Sequence, residues 1–234
     1  LWQASDLYEK AGSIDSEKRV LEDIIARYPN PIAESVEARF RLLEIADAQG
    51  NSAERMARLQ DLVDVDRTAG AQRSDRTRFL AANASLELAE PSLRTFEVQK
   101  LNQPLADSMK VKRTAMETVI KAYTEAADYG IAAVTTAATF RLAEVYETFG
   151  SDLMDSERPA DLDEAAMEQY EFLLEEQAFP FEEKAIDLYK ANADRTIDGI
   201  YDEWVIKSFE RLAGLMPARY AKEERSEDVV TNLY

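Results

Sequence analysis

The chain has 234 residues, 46% of them apolar and 9% aromatic, so it can bury a core, and its composition is that of a globular protein rather than a disordered or membrane-spanning one. Cys and His are both absent, which excludes disulfides, thiolate chemistry, His-ligated metals, histidine bases and the Glu-x-x-His di-iron pairs of helical bundles. With 46 acidic against 28 basic residues the net charge is -18, a field that repels phosphate backbones and anionic lipid, so neither nucleic acid nor a membrane surface is an expected partner.

Seven Gly and seven Pro are few for an all-β chain, and helices are expected. The sequence does not begin with Met, no positively charged segment followed by an apolar run appears in it, and helical periodicity starts at once. Leu1 is therefore expected to be an internal position of a longer protein, with any signal or anchor upstream. No apolar run approaches the ~20 residues that cross a bilayer, so no direct membrane insertion of this region is expected.

From Ala4 to Pro29 two apolar series at helical spacing flank Gly12-Ser13, which reads as a helix hairpin closed by proline. After Pro31 the pattern recurs: Phe40, Leu42, Leu43, Ile45 and Ala46 lead to Gly50-Asn51, then Met56, Leu59, Leu62 and Val63. The middle is less regular, with helices expected over 75–90 and 105–129 and a connector or short helix between Pro91 and Pro104. Ala138 to Val145 closely repeats Ala38 to Ile45, and Gly150 follows at the distance of Gly50, which predicts a third helix ending just before a turn glycine. Helices near 163–177, 181–197 and 201–215 should close the chain, the last carrying Trp204, Phe209, Leu212 and Leu215. A self-similar spacing of this kind predicts a helical-repeat array rather than one compact bundle.

These residues resemble the tetratricopeptide repeat family. Ala4, Ser5, Tyr8, Gly12, Leu21 and Pro29 fall on matching positions in the first unit, Leu42, Ala46, Gly50 and Leu59 in the second, and Leu142, Ala143, Tyr146 and Gly150 in a later one. Glu17, Ile24, Leu43 and Arg55 depart from the residue types the family places there. The resemblance covers about half the chain. It implies an all-α, right-handed α-solenoid of TPR-like hairpins: two hairpins over 1–69, irregular helical units over 70–130, and a TPR-like helix with acidic C-terminal helices over 131–234. It also implies a concave groove faced by Trp2, Asp6 and Glu9, then Phe40, Glu44 and Asp47, then Phe140, Glu144 and Glu147. Of these, Phe40, Glu44, Asp47, Phe140, Glu144 and Glu147 are the expected partner-binding residues, taking an apolar side chain against each ring and Lys or Arg against the acids. The runs 173–186 and 216–220 resemble the C-terminal region of large bacterial repeat proteins, which implies an envelope assembly, in the periplasm rather than the cytoplasm.

Two local charge features stand apart. Asp161 to Glu203 holds 14 acidic and three basic residues, read as a solvated face or a docking patch for a basic partner. Lys110, Lys112 and Arg113 read as an exposed charged helix face. No calcium loop, phosphate loop, nucleophile elbow or Ser-x-x-Lys constellation occurs, so no metal and no cofactor is expected. The expected function is a non-catalytic protein-interaction scaffold that binds a protein partner with a basic segment. The alternatives are a spacer or end cap of a longer array and, from paired carboxylates that need no histidine, a helical carbohydrate-active enzyme domain.

Overall fold

A computed structural model describes residues 1–221 of the chain. Among these residues there are ten α-helices and no strand: α1 (Trp2–Lys10), α2 (Ile14–Arg27), α3 (Ile32–Ala48), α4 (Ser52–Thr68), α5 (Asp75–Glu97), α6 (Leu105–Ala127), α7 (Ala132–Met154), α8 (Glu164–Asp194), α9 (Glu203–Leu215) and α10 (Pro217–Tyr220). Each helix packs on the next, and α3, α5, α7 and α9 also pack on one another in succession. Neighbouring hairpins therefore stack through their odd-numbered helices, an all-α, solenoid-like arrangement. The buried residues agree with it. They form successive clusters along the stack, with Leu21, Ile24 and Leu42 in one, Val36, Leu59 and Leu80 in the next, Phe96, Val119, Tyr123 and Phe149 in a third, and Phe140, Tyr189 and Leu212 in the last.

The hairpin turns follow from local chemistry. Gly12 and Gly50 adopt φ of +66° and +65°, a left-handed backbone that only glycine enters without strain. Asn51 caps α4 by accepting from the Glu54 N–H at 3.2 Å, and Ser74 and Thr77 form a reciprocal capping box at the start of α5. Buried Asp66 ties that turn to α4 by accepting from Thr77 at 2.7 Å and pairing with Arg73 at 2.8 Å. Asp202 caps α9 through the Trp204 and Val205 N–H groups and accepts from Thr136 of α7 at 2.5 Å.

Four expectations change. Gly150 ends nothing: α7 runs through it, because Phe149 and Leu153 continue its buried stripe. α5 continues past Pro91 to Glu97, and the expected helices over 163–177 and 181–197 are one 31-residue helix, α8, that passes through Pro180. Both prolines are exposed, and each helix, held by packing on its neighbours, continues through the missing N–H. Lys112 is also no exposed charge. It is 0% accessible; its ammonium donates to the Phe96 and Gln99 carbonyls at 3.2 and 2.6 Å and lies 2.5 Å from Asp152 of α7, an ion pair by distance rather than a directed hydrogen bond. It thus places positive charge at the C-terminal, negative end of the α5 dipole.

Candidate functional site

Two concavities open where odd-numbered helices meet and take in most of the expected groove positions. The first, about 290 Å³, lies between α1, α3 and α5 and is lined by Trp2, Asp6, Glu9, Glu37, Phe40, Arg41, Glu44 and Arg76 together with Ser5. The second, about 370 Å³, lies between α5, α7 and α9 and is lined by Glu97, Arg141, Glu144, Glu147, Asp152 and Arg211, with Leu93, Thr148 and Ser151. Each holds four carboxylates and two guanidinium groups.

Of the six expected partner-binding residues, Phe40, Glu44, Glu144 and Glu147 line these concavities. Asp47 does not: it sits at the C-terminal end of α3 and pairs with Arg55 of α4 at 2.7 Å. Phe140 is withdrawn from the surface, 5% exposed, with Tyr189 and Trp204 rings centred 5.5 and 5.4 Å away. The two phenylalanines differ because of what the following odd helix brings. α5 lays the Arg76 guanidinium 5.2 Å from the centre of the Phe40 ring, whereas α9 lays an indole on Phe140 and buries it.

The arginines were missed by the repeat positions and organise the surface. Arg41 of α3 reaches Glu9 of α1, Arg76 of α5 reaches Glu37 of α3 at 2.7 Å, Arg141 of α7 reaches Glu90 of α5 at 3.8 Å, and Arg211 of α9 reaches Glu147 of α7. Each of the later odd helices thus hands one guanidinium back to a glutamate of the preceding one. The available signal was the Phe-Arg-Leu triplet at 40–42 and again at 140–142. Near the C-terminal end the pattern gains a phenol: Tyr123 donates to Glu90 at 3.0 Å and Tyr189 donates to Glu147 at 2.8 Å, so each glutamate joins a tyrosine of the next even helix to an arginine of the next odd one.

This pairing fixes the protonation states. Burial, reinforced by the neighbouring carboxylate, pushes both Tyr123 and Tyr189 above the ordinary phenol range. Burial pulls Arg41 and Arg141 down, but hydrogen bonds and charge from Glu17 and Glu44, and from Glu144 and Glu90, outweigh it and raise both; the hydrogen bond to Glu147 raises Arg211. Glu54, in the layer of even helices, is held below the usual carboxylate range by the Lys18 ammonium of α2. Among the described residues no group of three or more acidic side chains is gathered as a metal site would require, and no helix is long and apolar enough to cross a membrane. Comparison with protein-family models, curated proteins and solved structures returned no match.

Proposed function

We propose that the chain is a non-catalytic, TPR-type scaffold that holds a Lys- or Arg-bearing segment of a protein partner against the odd-helix face, within an assembly of the bacterial envelope. The observation that carries this reading is the repetition: two concavities, made by equivalent helices of different hairpins, each hold four carboxylates against two arginines. Each is left with a formal excess of negative charge beside an apolar wall, Trp2 and Phe40 in one and Leu93 in the other. A basic segment laid across both would gain register from the spacing and rate from the field of a chain at -18.

A second reading, a spacer or end cap, draws on the helix-to-helix arginine pairs, which satisfy much of this face from within. Crosslinking in native cells with mass spectrometry separates the two when the chain is compared with its Glu44→Lys/Glu144→Lys version. Loss of one specific partner supports groove recognition. Identical partners from both versions move recognition off the odd-helix face, and no partner from either leaves the spacer reading.

A further inference from the structure

The outward side of α8 is the electrostatic opposite of the odd-helix face. From Pro159 to Glu183 there are nine Asp and Glu and no Lys or Arg. Among the described residues the ion pairs that reach this helix are Arg158–Glu171 and Lys190–Asp187, so Glu168, Glu175, Glu176, Glu182 and Glu183 stand without a countercharge. Amid them Phe172 and Phe179 are 65% and 57% exposed and belong to none of the buried clusters. A chain that buries Phe96, Phe140 and Phe149 leaves these two rings in solvent.

Their placement is periodic. Read in sevens, α8 gives Glu168, Glu175 and Glu182 in one column, Gln169, Glu176 and Glu183 in another, Phe172, Phe179 and Ile186 in a third, and Leu174, Phe181 and Leu188 in a fourth. A column of every seventh residue drifts only ~20° per heptad around a helix, so each column is a stripe. The Leu174 stripe is the one α8 uses: Leu174 is buried, and Phe181 and Leu188 pack on the clusters shared with α7 and α9. Phe172 and Phe179 face away from it, whereas Ile186, next in their column, packs on the cluster that α8 shares with α9, and the two glutamate columns run along either side of the two exposed rings. Pro180 adds one more acceptor, since the Glu176 carbonyl has no N–H to receive from residue 180.

An apolar stripe with a seven-residue period and charged flanks is the form that a second helix reads, knob against hole, with flanking charges selecting the partner. A second copy of the chain would bring glutamate columns against their own images, so the occupant must carry the opposite sign. We propose that the outward face of α8 docks an amphipathic helix of another protein, whose heptad-spaced apolar residues seat on Phe172 and Phe179 and whose flanking Lys or Arg meet the two glutamate columns. This surface is separate from the odd-helix face and does not depend on the reading given for it.

The test uses a fluorescent peptide of three heptads with Leu at the core positions and Lys at the flanks, and a scrambled peptide of identical composition. Both are titrated with the full chain by anisotropy, and peptide helicity is followed by circular dichroism. The heptad peptide should bind at least about tenfold more tightly than the scramble and become helical on binding. Phe172→Ala/Phe179→Ala should abolish that preference with the melting curve unchanged, because both rings are exposed. Glu175→Gln/Glu182→Gln should weaken binding and flatten its salt dependence. Glu44→Lys/Glu144→Lys should bind as the parent does, which keeps this proposal distinguishable from groove recognition. Equal binding of the two peptides, undiminished binding by the phenylalanine variant, or dimerisation of the chain that this variant abolishes would each overturn it.

Discussion

A phenol that donates to a carboxylate inside a protein holds its proton against two forces at once, and Tyr189 shows both: it is buried, and its hydroxyl lies 2.8 Å from Glu147. In the unfolded chain it ionises near its ordinary value of 10.0; in the folded chain it stays protonated well above that. The native state therefore binds more protons than the unfolded state above pH 10.0, and the stabilisation, complete below that pH, is lost as pH rises toward the folded value. Tyr189→Phe should cost about 1 kcal/mol at neutral pH, the net worth of a hydrogen bond whose acceptor keeps Arg211. It should also make the alkaline fall in stability shallower by about 1.4 kcal/mol per pH unit, one proton's share, with Tyr123 supplying part of what remains. Urea titrations of parent and variant between about pH 8 and pH 11 would show this. Parallel alkaline limbs would mean that the phenol ionises alike in both states.

Glycine at the scale of the element separates two near-identical stretches. Gly50 follows Phe40-Arg41-Leu42 and Gly150 follows Phe140-Arg141-Leu142 at the same distance, yet one breaks its helix and the other is passed over. A Cβ at Gly50 would force a side chain into φ +65°, and Gly50→Ala should destabilise by about 1 kcal/mol. A Cβ at Gly150 would meet the Ala178 carbonyl and the Phe181 Cβ at 3.5 Å, ordinary contact distance, so helix propensity decides and Gly150→Ala should stabilise by up to about 1 kcal/mol. Chemical denaturation of the two variants should place them on opposite sides of the parent, and the reverse order would show that close packing at Gly150 outweighs propensity. The same contrast explains what the sequence disclosed. α1 to α4 were legible because Gly12, Gly50 and the prolines around 29 to 31 punctuate an apolar period. Pro91, Gly150 and Pro180 carry the same letters without breaking anything, since long helices held by packing on both neighbours tolerate the missing N–H of an exposed proline and the lower helix propensity of a buried glycine. In the site, Phe40, Glu44, Glu144 and Glu147 were reached from repeat position alone. The burial of Phe140 depends on Trp204, and the role of Arg76 and Arg211 on Glu37 and Glu147, partners far off in the chain that no local pattern encodes.

For the whole molecule the question is which electrostatic effect dominates, the attraction of the helix-to-helix pairs or the repulsion of a chain at -18. The pairs Arg41–Glu9, Arg76–Glu37, Arg141–Glu90 and Arg211–Glu147 are all partly exposed, and such pairs contribute about 0–1 kcal/mol each. The repulsion acts among all the charges at once and is strongest where α8 gathers unpaired glutamates, and it falls as the chain expands on unfolding. Salt weakens both, but most of the charge pairs that make up the net excess lie more than a Debye length apart, ~10 Å at 0.1 M, and are screened first, whereas a pair in contact keeps much of its attraction. Raising NaCl from low to moderate concentration should therefore stabilise the chain, shifting the urea midpoint upward. Arg76→Gln, which removes one helix-to-helix contact and one positive charge, should steepen that rise because the variant carries a larger negative excess. A midpoint that falls with salt would reverse the ranking and make the arginine pairs along the odd-helix face the dominant electrostatic contribution to the stack.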